Sequence, residues 1–213
     1  MPEEEDQDER RTTLSRIIAG TAGGRRIRMP SGRSTRPTTD RVREAVFSAV
    51  AAWAGTADRP PEEALAGLAF CDLYAGSGAV GLEAASRGAD PVLLVEQDRA
   101  TVAHIRRNAA DLGLAVAVRP GDVRALLRHP AGTTFDVVFA DPPYDLPAAT
   151  LDAQLADLQA HGWLSRTALV MLERSRRTPP PAWPVSMTET WSRAYGETTV
   201  HFGVHVATEE VGR

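Results

Sequence analysis

The 213-residue chain, 43% hydrophobic, is the size of one α/β domain with an appendage and carries enough apolar side chains for a single core. Its one cysteine, Cys71, lies in the apolar run Leu68-Ala69-Phe70-Cys71 and excludes a disulfide framework; it reads as a small buried thiol. No stretch approaches the roughly 18 to 20 apolar residues of a membrane span, and the start is acidic rather than cationic and then apolar, so a membrane is excluded and the cytoplasm is the expected address.

The formal net charge of −4 is unevenly spread. Glu3, Glu4, Glu5, Asp6, Asp8 and Glu9 make residues 1–13 a disordered acidic tail by composition. Residues 10–43 hold ten arginines against Asp40 alone. In that basic stretch Arg16-Ile17-Ile18-Ala19-Gly20 and Arg25-Arg26-Ile27-Arg28-Met29 flank Thr21-Ala22-Gly23-Gly24, which predicts a β-hairpin with arginines at its polar positions. After Pro37, Thr38 and Thr39 can cap a helix beginning at Asp40, with Val42, Ala45, Val46, Ala49, Val50 and Trp53 on its core face. Residues 14–54 are thus expected to form a basic, polyanion-binding extension of a domain spanning 55–213.

Apolar runs at 68–74, 91–95, 115–118, 135–140 and 168–172 alternate with amphipathic segments of helical length. That alternation predicts a mostly parallel sheet with helices on both faces, an α/β Rossmann-like architecture. Beyond Pro179-Pro180-Pro181, residues 187–195 and 197–205 read as two strands joined around Gly196, closing the sheet with an antiparallel hairpin.

The first long strand runs into Asp72-Leu73-Tyr74-Ala75-Gly76-Ser77-Gly78-Ala79-Val80-Gly81. Gly76, Gly78 and Gly81 satisfy G-x-G-x-x-G, a turn whose missing side chains admit a nucleotide-like ligand close to the backbone, and Glu96 at the end of the second strand is placed for ribose hydroxyls. Alone this fits a nicotinamide dehydrogenase or a structural turn nearly as well. Asp72 shifts the balance: a carboxylate there would repel a pyrophosphate and suits the amino-acid portion of S-adenosylmethionine. Asp122, in Gly121-Asp122-Val123 after the third strand, can accept the adenine amino group beside a backbone N–H, or simply cap a helix. The cofactor-binding set is Asp72, Ala75, Gly76, Ser77, Gly78, Glu96, Gln97, Asp122 and Val123.

The decisive element is Asp141-Pro142-Pro143-Tyr144, directly after the strand Phe135-Asp136-Val137-Val138-Phe139-Ala140. Two prolines cannot continue a central strand, so the chain leaves the sheet as a rigid loop at the edge where ligands bind. An exocyclic base amine is a poor nucleophile because its lone pair is delocalised into the ring. Methylating it requires acceptors for its N–H protons, here Asp141 and the Pro142 carbonyl, and Pro143 adds no competing donor. Tyr144 offers a flat face on which a flipped base can stack.

With these motifs the chain resembles, along nearly its whole length, the RsmD-type 16S ribosomal RNA guanine-N2 methyltransferases of bacteria. The resemblance rests on Arg16-Ile17-Ile18-Ala19-Gly20, on Arg36-Pro37-Thr38-Thr39-Asp40-Arg41-Val42-Arg43-Glu44, on residues 72–81, on Glu96-Gln97-Asp98 and on Asp141-Pro142-Pro143-Tyr144. It implies a class I methyltransferase fold with a seven-stranded sheet and a reversed last strand, S-adenosylmethionine as cofactor, and a guanine of 16S rRNA on an assembling 30S subunit as substrate. The acidic leader and the proline-rich segment at 179–184 depart from the family.

The basic segment independently calls for a polyanion, with Arg16, Arg25, Arg26, Arg28, Arg33, Arg36, Thr38 and Arg41 as candidate RNA contacts. The five histidines show no metal-ligand spacing and read as surface or packing residues, so no metal is expected; Trp163, Trp183 and Trp191 read as packing. Nothing demands more than a monomer. Adenine-N6 methylation of DNA or RNA uses the same loop chemistry and stays open on these residues, as do, more remotely, an NAD-dependent oxidoreductase and a non-catalytic ribosome-assembly factor.

Overall fold

A computed structural model describes residues 15–29 and 39–207; the acidic tail, Arg33, Arg36 and Thr38 lie outside them. In chain order the elements are β1 (Ser15–Arg16), β2 (Arg26–Ile27), α1 (Asp40–Ala54), β3 (Phe70–Leu73), α2 (Ala79–Ser86), β4 (Val92–Glu96), α3 (Arg99–Leu112), β5 (Ala117–Pro120), α4 (Val123–Leu127), β6 (Phe135–Ala140), α5 (Ala148–Ala160), β7 (Leu164–Ser175), β8 (Met187–Tyr195) and β9 (Thr198–Val206).

Seven strands form one sheet in the order β5-β4-β3-β6-β7-β9-β8. The pairings from β5 to β7 are all parallel. β9 runs antiparallel between β7 and β8, as the expected hairpin requires, with Gly196 at φ 62° in the turn. The polypeptide therefore presents the C-terminal ends of β3, β4, β5 and β6 along one edge, the edge where α/β sheets bind ligands.

One sheet face carries Phe70, Leu94, Val137, Phe139, Leu169, Met171 and Phe202 and is covered by α1, α2 and Ile105 of α3. The other carries Cys71, Leu73, Val138, Val170 and Leu172 under α4, α5 and Trp163. Thr39 caps α1, its side chain accepting the Val42 N–H at 3.4 Å. The predicted core face of α1 is buried at Val42, Val46, Ala49 and Val50, and the structure adds Phe47 and Arg43 to it. Phe47 stacks on Phe70 with ring centroids 6.0 Å apart. Burying each large side chain of α1 is worth about 1.5–3 kcal/mol, so α1 is part of the core of the sheet domain.

The hairpin pairs Ser15 with Ile27 and Arg16 with Arg26 only, and packs Ile17, Ala22 and Ile27 on Ala79, Leu82, Ala109 and Leu112. β7 extends beyond the predicted run at both ends, because β6 on one side and β9 on the other continue to satisfy its backbone past the apolar residues. His201 and His205 are buried rather than surface side chains, and Trp163, Trp183 and Trp191 pack against Phe135, Gly203 and Phe202.

Candidate methyl-transfer site

The glycine turn leaves β3 through Tyr74, which holds φ 65°, the one non-glycine residue with positive φ among those described. Its hydroxyl donates to Gln154 Oε1 of α5 at 2.7 Å. Burial pushes the phenol pKa up to about 12, so the hydroxyl stays a proton donor. Ala75 N–H donates to Val95 O and Gly78 N–H to Ala75 O, which folds the turn back over the end of β4. Gly78, at φ 80°, starts α2. A Cβ on Gly81 would stand 2.6 Å from Leu94 Cγ, so the glycine is what lets α2 lie against β4.

Three carboxylates surround this turn. Asp72 is buried and accepts the Gly81 N–H at 2.8 Å through Oδ2; burial raises its pKa to about 7, against the Gly81 hydrogen bond, with Glu96 adding repulsion. Glu96 accepts the Gly76 N–H at 3.0 Å with one oxygen and the Asp98 N–H at 2.8 Å with the other. Asp122 is exposed and caps α4 by accepting the Ala125 N–H at 2.8 Å, so the capping role considered from sequence is present in the structure. Gln97 is exposed beside Glu96, Val123 is buried, and Ser77 is half-buried at the tip of the turn.

The donor set fits S-adenosylmethionine. The missing Cβ of Gly76 would come no closer than 3.9 Å to any neighbour, leaving an open cradle over the turn. Buried and exposed carboxylates around it suit a cationic, hydroxyl-bearing ligand, and a pyrophosphate would meet repulsion from Asp72 and Glu96.

Asp141 leaves β6 beside this turn. Ala140 pairs with Leu73 on one side and Leu172 on the other, which sets Asp141 next to the ends of β3 and β7. Its carboxyl is held well above the ordinary carboxylate range, first by burial, then by the Glu173 and Asp72 carboxylates, with Arg174 pulling the other way. Pro142 is buried, Pro143 exposed, and Tyr144 is 65% exposed at the rim. The Pro143 carbonyl accepts from Leu146 N–H at 3.0 Å and from Arg174 Nη1 at 3.1 Å. Among the described residues no donor reaches the Pro142 carbonyl or the Asp141 carboxylate. Glu173 and Arg174 were passed over in the sequence; the signal was their place at the end of the apolar run 168–172, the strand end adjoining Asp141.

The predicted RNA contacts divide. Arg26 and Arg41 are exposed, and Arg16 and Arg26 line a surface groove with Ser15, Gly24 and Asp40. Arg16 Nε also contacts Asp40 at 3.3 Å. The Arg28 backbone is fixed to Asn108 through both its N–H and its C=O, with its side chain mostly exposed. Arg25 instead donates to the carbonyls of Leu112 and Asp111, where α3 ends. Arg36 and Thr38 lie outside the described residues. Among the described residues no group of three His, Cys, Asp or Glu side chains is placed to hold a metal ion.

The family model described as Conserved hypothetical protein 95 matches residues 15–204. The ribosomal RNA small subunit methyltransferase D of Escherichia coli K12 is 35% identical over 173 residues, 80% of each chain, and its Haemophilus influenzae counterpart is 30% identical over 182 residues, 82% of this chain and 88% of that one. Among solved structures, the Escherichia coli protein yhhF superposes with a TM-score of 0.76 at 31% identity, covering 92% of this chain and 99% of that one. The 16S rRNA N2 guanine methyltransferase RsmC of Thermus thermophilus, solved with AdoMet and guanosine, superposes with a TM-score of 0.60 over 92% of this chain and 50% of that one; at 21% identity it speaks for the fold alone. A match over nearly all the described residues, joined to that identity with named methyltransferases, makes this chain a member of the RsmD family of class I, S-adenosylmethionine-dependent methyltransferases.

Proposed function

We propose that this protein transfers a methyl group from S-adenosylmethionine to the exocyclic N2 amino group of a guanine in 16S rRNA, acting in the cytoplasm as a monomer on an assembling 30S subunit. The relatives named above are small-subunit rRNA methyltransferases. No helix among the described residues is long and apolar enough to cross a membrane. The observation that carries the reading is the pair of acceptors at the end of β6: Asp141 and the Pro142 carbonyl, neither taken by a donor among the described residues, next to the carboxylate-lined glycine turn.

In this reading S-adenosylmethionine supplies an electrophilic methyl carried on a sulfonium. Asp72 and the turn residues Ala75, Gly76, Ser77 and Gly78 hold its amino-acid end, Glu96 and Gln97 the ribose, and Asp122 and Val123 the adenine. Asp141 and the Pro142 carbonyl accept the two N–H protons of the amine and so aim its lone pair. The amine becomes acidic only as the new N–C bond forms. Asp141 then stabilises the developing positive charge and takes the proton that nitrogen releases, a role its raised proton affinity favours. Pro143 keeps the loop rigid and donor-free, and the exposed Tyr144 ring stacks on the flipped base. Arg16, Arg26, Arg28 and Arg41, with Arg36 and Thr38, supply phosphate contacts from a basic extension over 14–54, whose hairpin packs on α2 and α3 and whose helix α1 shares the core of the catalytic part, 55–213.

The test is methyl transfer from labelled S-adenosylmethionine to 30S particles, free 16S rRNA and duplex DNA from a strain lacking this gene, followed by nucleoside analysis. Label in N2-methylguanosine from 30S particles is expected. Label only in N6-methyladenosine would keep the loop chemistry and overturn the substrate.

A further inference from the structure

Arg174 is one of the few charged side chains buried in the sheet domain, with 5% of its surface exposed, and it serves no strand pairing through its side chain. From β7 it reaches across to the loop after β6: Nη1 donates to Pro143 O at 3.1 Å and Nη2 to Leu146 O at 3.4 Å, while Nε is buried with no hydrogen-bond partner among the described residues. We propose that Arg174 is the positioning residue of the transfer site, a forked tie that holds the loop after β6 so that Asp141 and the Pro142 carbonyl face the amine. This rests on the reading of that loop as the acceptor of N–H protons.

The loop cannot hold itself in place. Pro142, Pro143 and Pro147 remove three backbone donors within a few residues, leaving carbonyls that outnumber N–H groups; Leu146 N–H to Pro143 O is the turn's own closure. A planar guanidinium spans two carbonyls from one side chain, whereas an ammonium has no fixed fork. Sequestering a guanidinium without satisfying all its donors is costly, and a loop needed only as a connection would not require it.

The same group sets the charge balance around the acceptor. The charged groups acting on Asp141 are Glu173 and Arg174 from β7 and Asp72 from β3; Tyr74, after β3, and His201, on β9, also lie within the influence of Arg174. Arg174 is the one cation in that set acting on Asp141, and it opposes the two carboxylates. Removing it raises the proton affinity of Asp141 further. An Asp141 protonated at working pH cannot accept, so the acid limb of the pH–rate profile must move to higher pH.

The experiment compares wild type, Arg174→Met and Arg174→Lys in kcat, KM for 30S particles from a strain lacking this gene, S-adenosylmethionine affinity by calorimetry, and the pH dependence of kcat. For Arg174→Met the expected result is a fall in kcat of about tenfold to a hundredfold, cofactor affinity within about twofold of wild type, and an acid limb displaced upward. Arg174→Lys should restore the limb to its wild-type position, because the charge returns, and recover only part of kcat, because one carbonyl stays untied. A wild-type kcat and limb in Arg174→Met overturn the proposal. So does a loss of turnover in Arg174→Lys that is wholly accounted for by lost cofactor affinity, which marks a purely structural role and applies even if the methionine variant does not fold. No turnover by wild type on any substrate would instead sink the proposed function, which separates the two failures.

Discussion

Two carboxylates at the end of the sheet are held against their solution preference, and each has a measurable consequence. The pKa of Asp72 stands at about 7 in the fold against an ordinary 3.8, so the folded state binds the proton more tightly than the unfolded state does. The contribution of Asp72 to stability is then fully present at acid pH, falls as pH rises between about 4 and 7, and levels off above; over that window its loss is on the order of a few kcal/mol. Asp72→Asn, which can still accept the Gly81 N–H, should flatten this part of the pH dependence of thermal unfolding; an unaltered slope would show that Asp72 is not its source. A cation beside Asp72 reverses the preference. S-adenosylmethionine affinity should therefore rise with pH through about 7 in wild type and much less in Asp72→Asn, read by calorimetry. For Asp141→Ala the expectation is loss of at least about a hundredfold in turnover with cofactor binding retained, because the acceptor is removed and the glycine turn is untouched. Turnover within tenfold of wild type would remove Asp141 from the reaction.

Among the elements, the glycine turn, the loop after β6, Thr39 as a cap and the β8–β9 hairpin were all legible in the sequence, since each depends on short-range chemistry: proline that cannot pair, glycine at positive φ, a hydroxyl one residue before a helix. What escaped was chemistry between distant segments. For Arg25 only the charge is visible locally; the carbonyls it donates to lie more than eighty residues away, at the end of α3. Arg43 sits on the core face of α1, where periodicity asks for an apolar residue; it is buried because Ser15, the Arg16 carbonyl and Asp40 converge on it. The same holds for Glu83, fully buried on α2. It accepts the Ile18 N–H at 2.6 Å and the Ala19 N–H at 3.0 Å and pairs with Arg87 at 2.8 Å, anchoring the hairpin to the helix that begins at the glycine turn. Glu83→Ala leaves two amides and a guanidinium without their acceptor and should cost about 3–5 kcal/mol. Hydrogen exchange should show the loss concentrated over residues 15–29; uniform acceleration across the sheet would place the anchor elsewhere.

At the scale of the whole molecule a polyanion must dock on a protein of net charge −4, so binding depends on which arginines remain available after the fold has used some of them. Arg43 is buried and cannot reach a phosphate, and Arg25, although exposed, is held by its two bonds to the end of α3. Arg26 and Arg41 are exposed, and Arg28 keeps a mostly exposed side chain on a fixed backbone. Each phosphate contact releases counterions and contributes about 0.7 to 0.9 to the slope of log K against log salt. Replacing Arg26, Arg28 and Arg41 together by alanine should therefore lower that slope by about 2 and weaken RNA binding at every sequence alike, while thermal stability stays near wild type. Arg25→Ala should do the reverse, leaving the slope within error and lowering stability by about 1–2 kcal/mol through the lost bonds to the end of α3. Filter binding across a salt series, run beside thermal unfolding, separates the two classes: an unchanged slope in the triple variant, or a lowered one in Arg25→Ala, would mean that the RNA lies on a different face from the exposed edge of the hairpin.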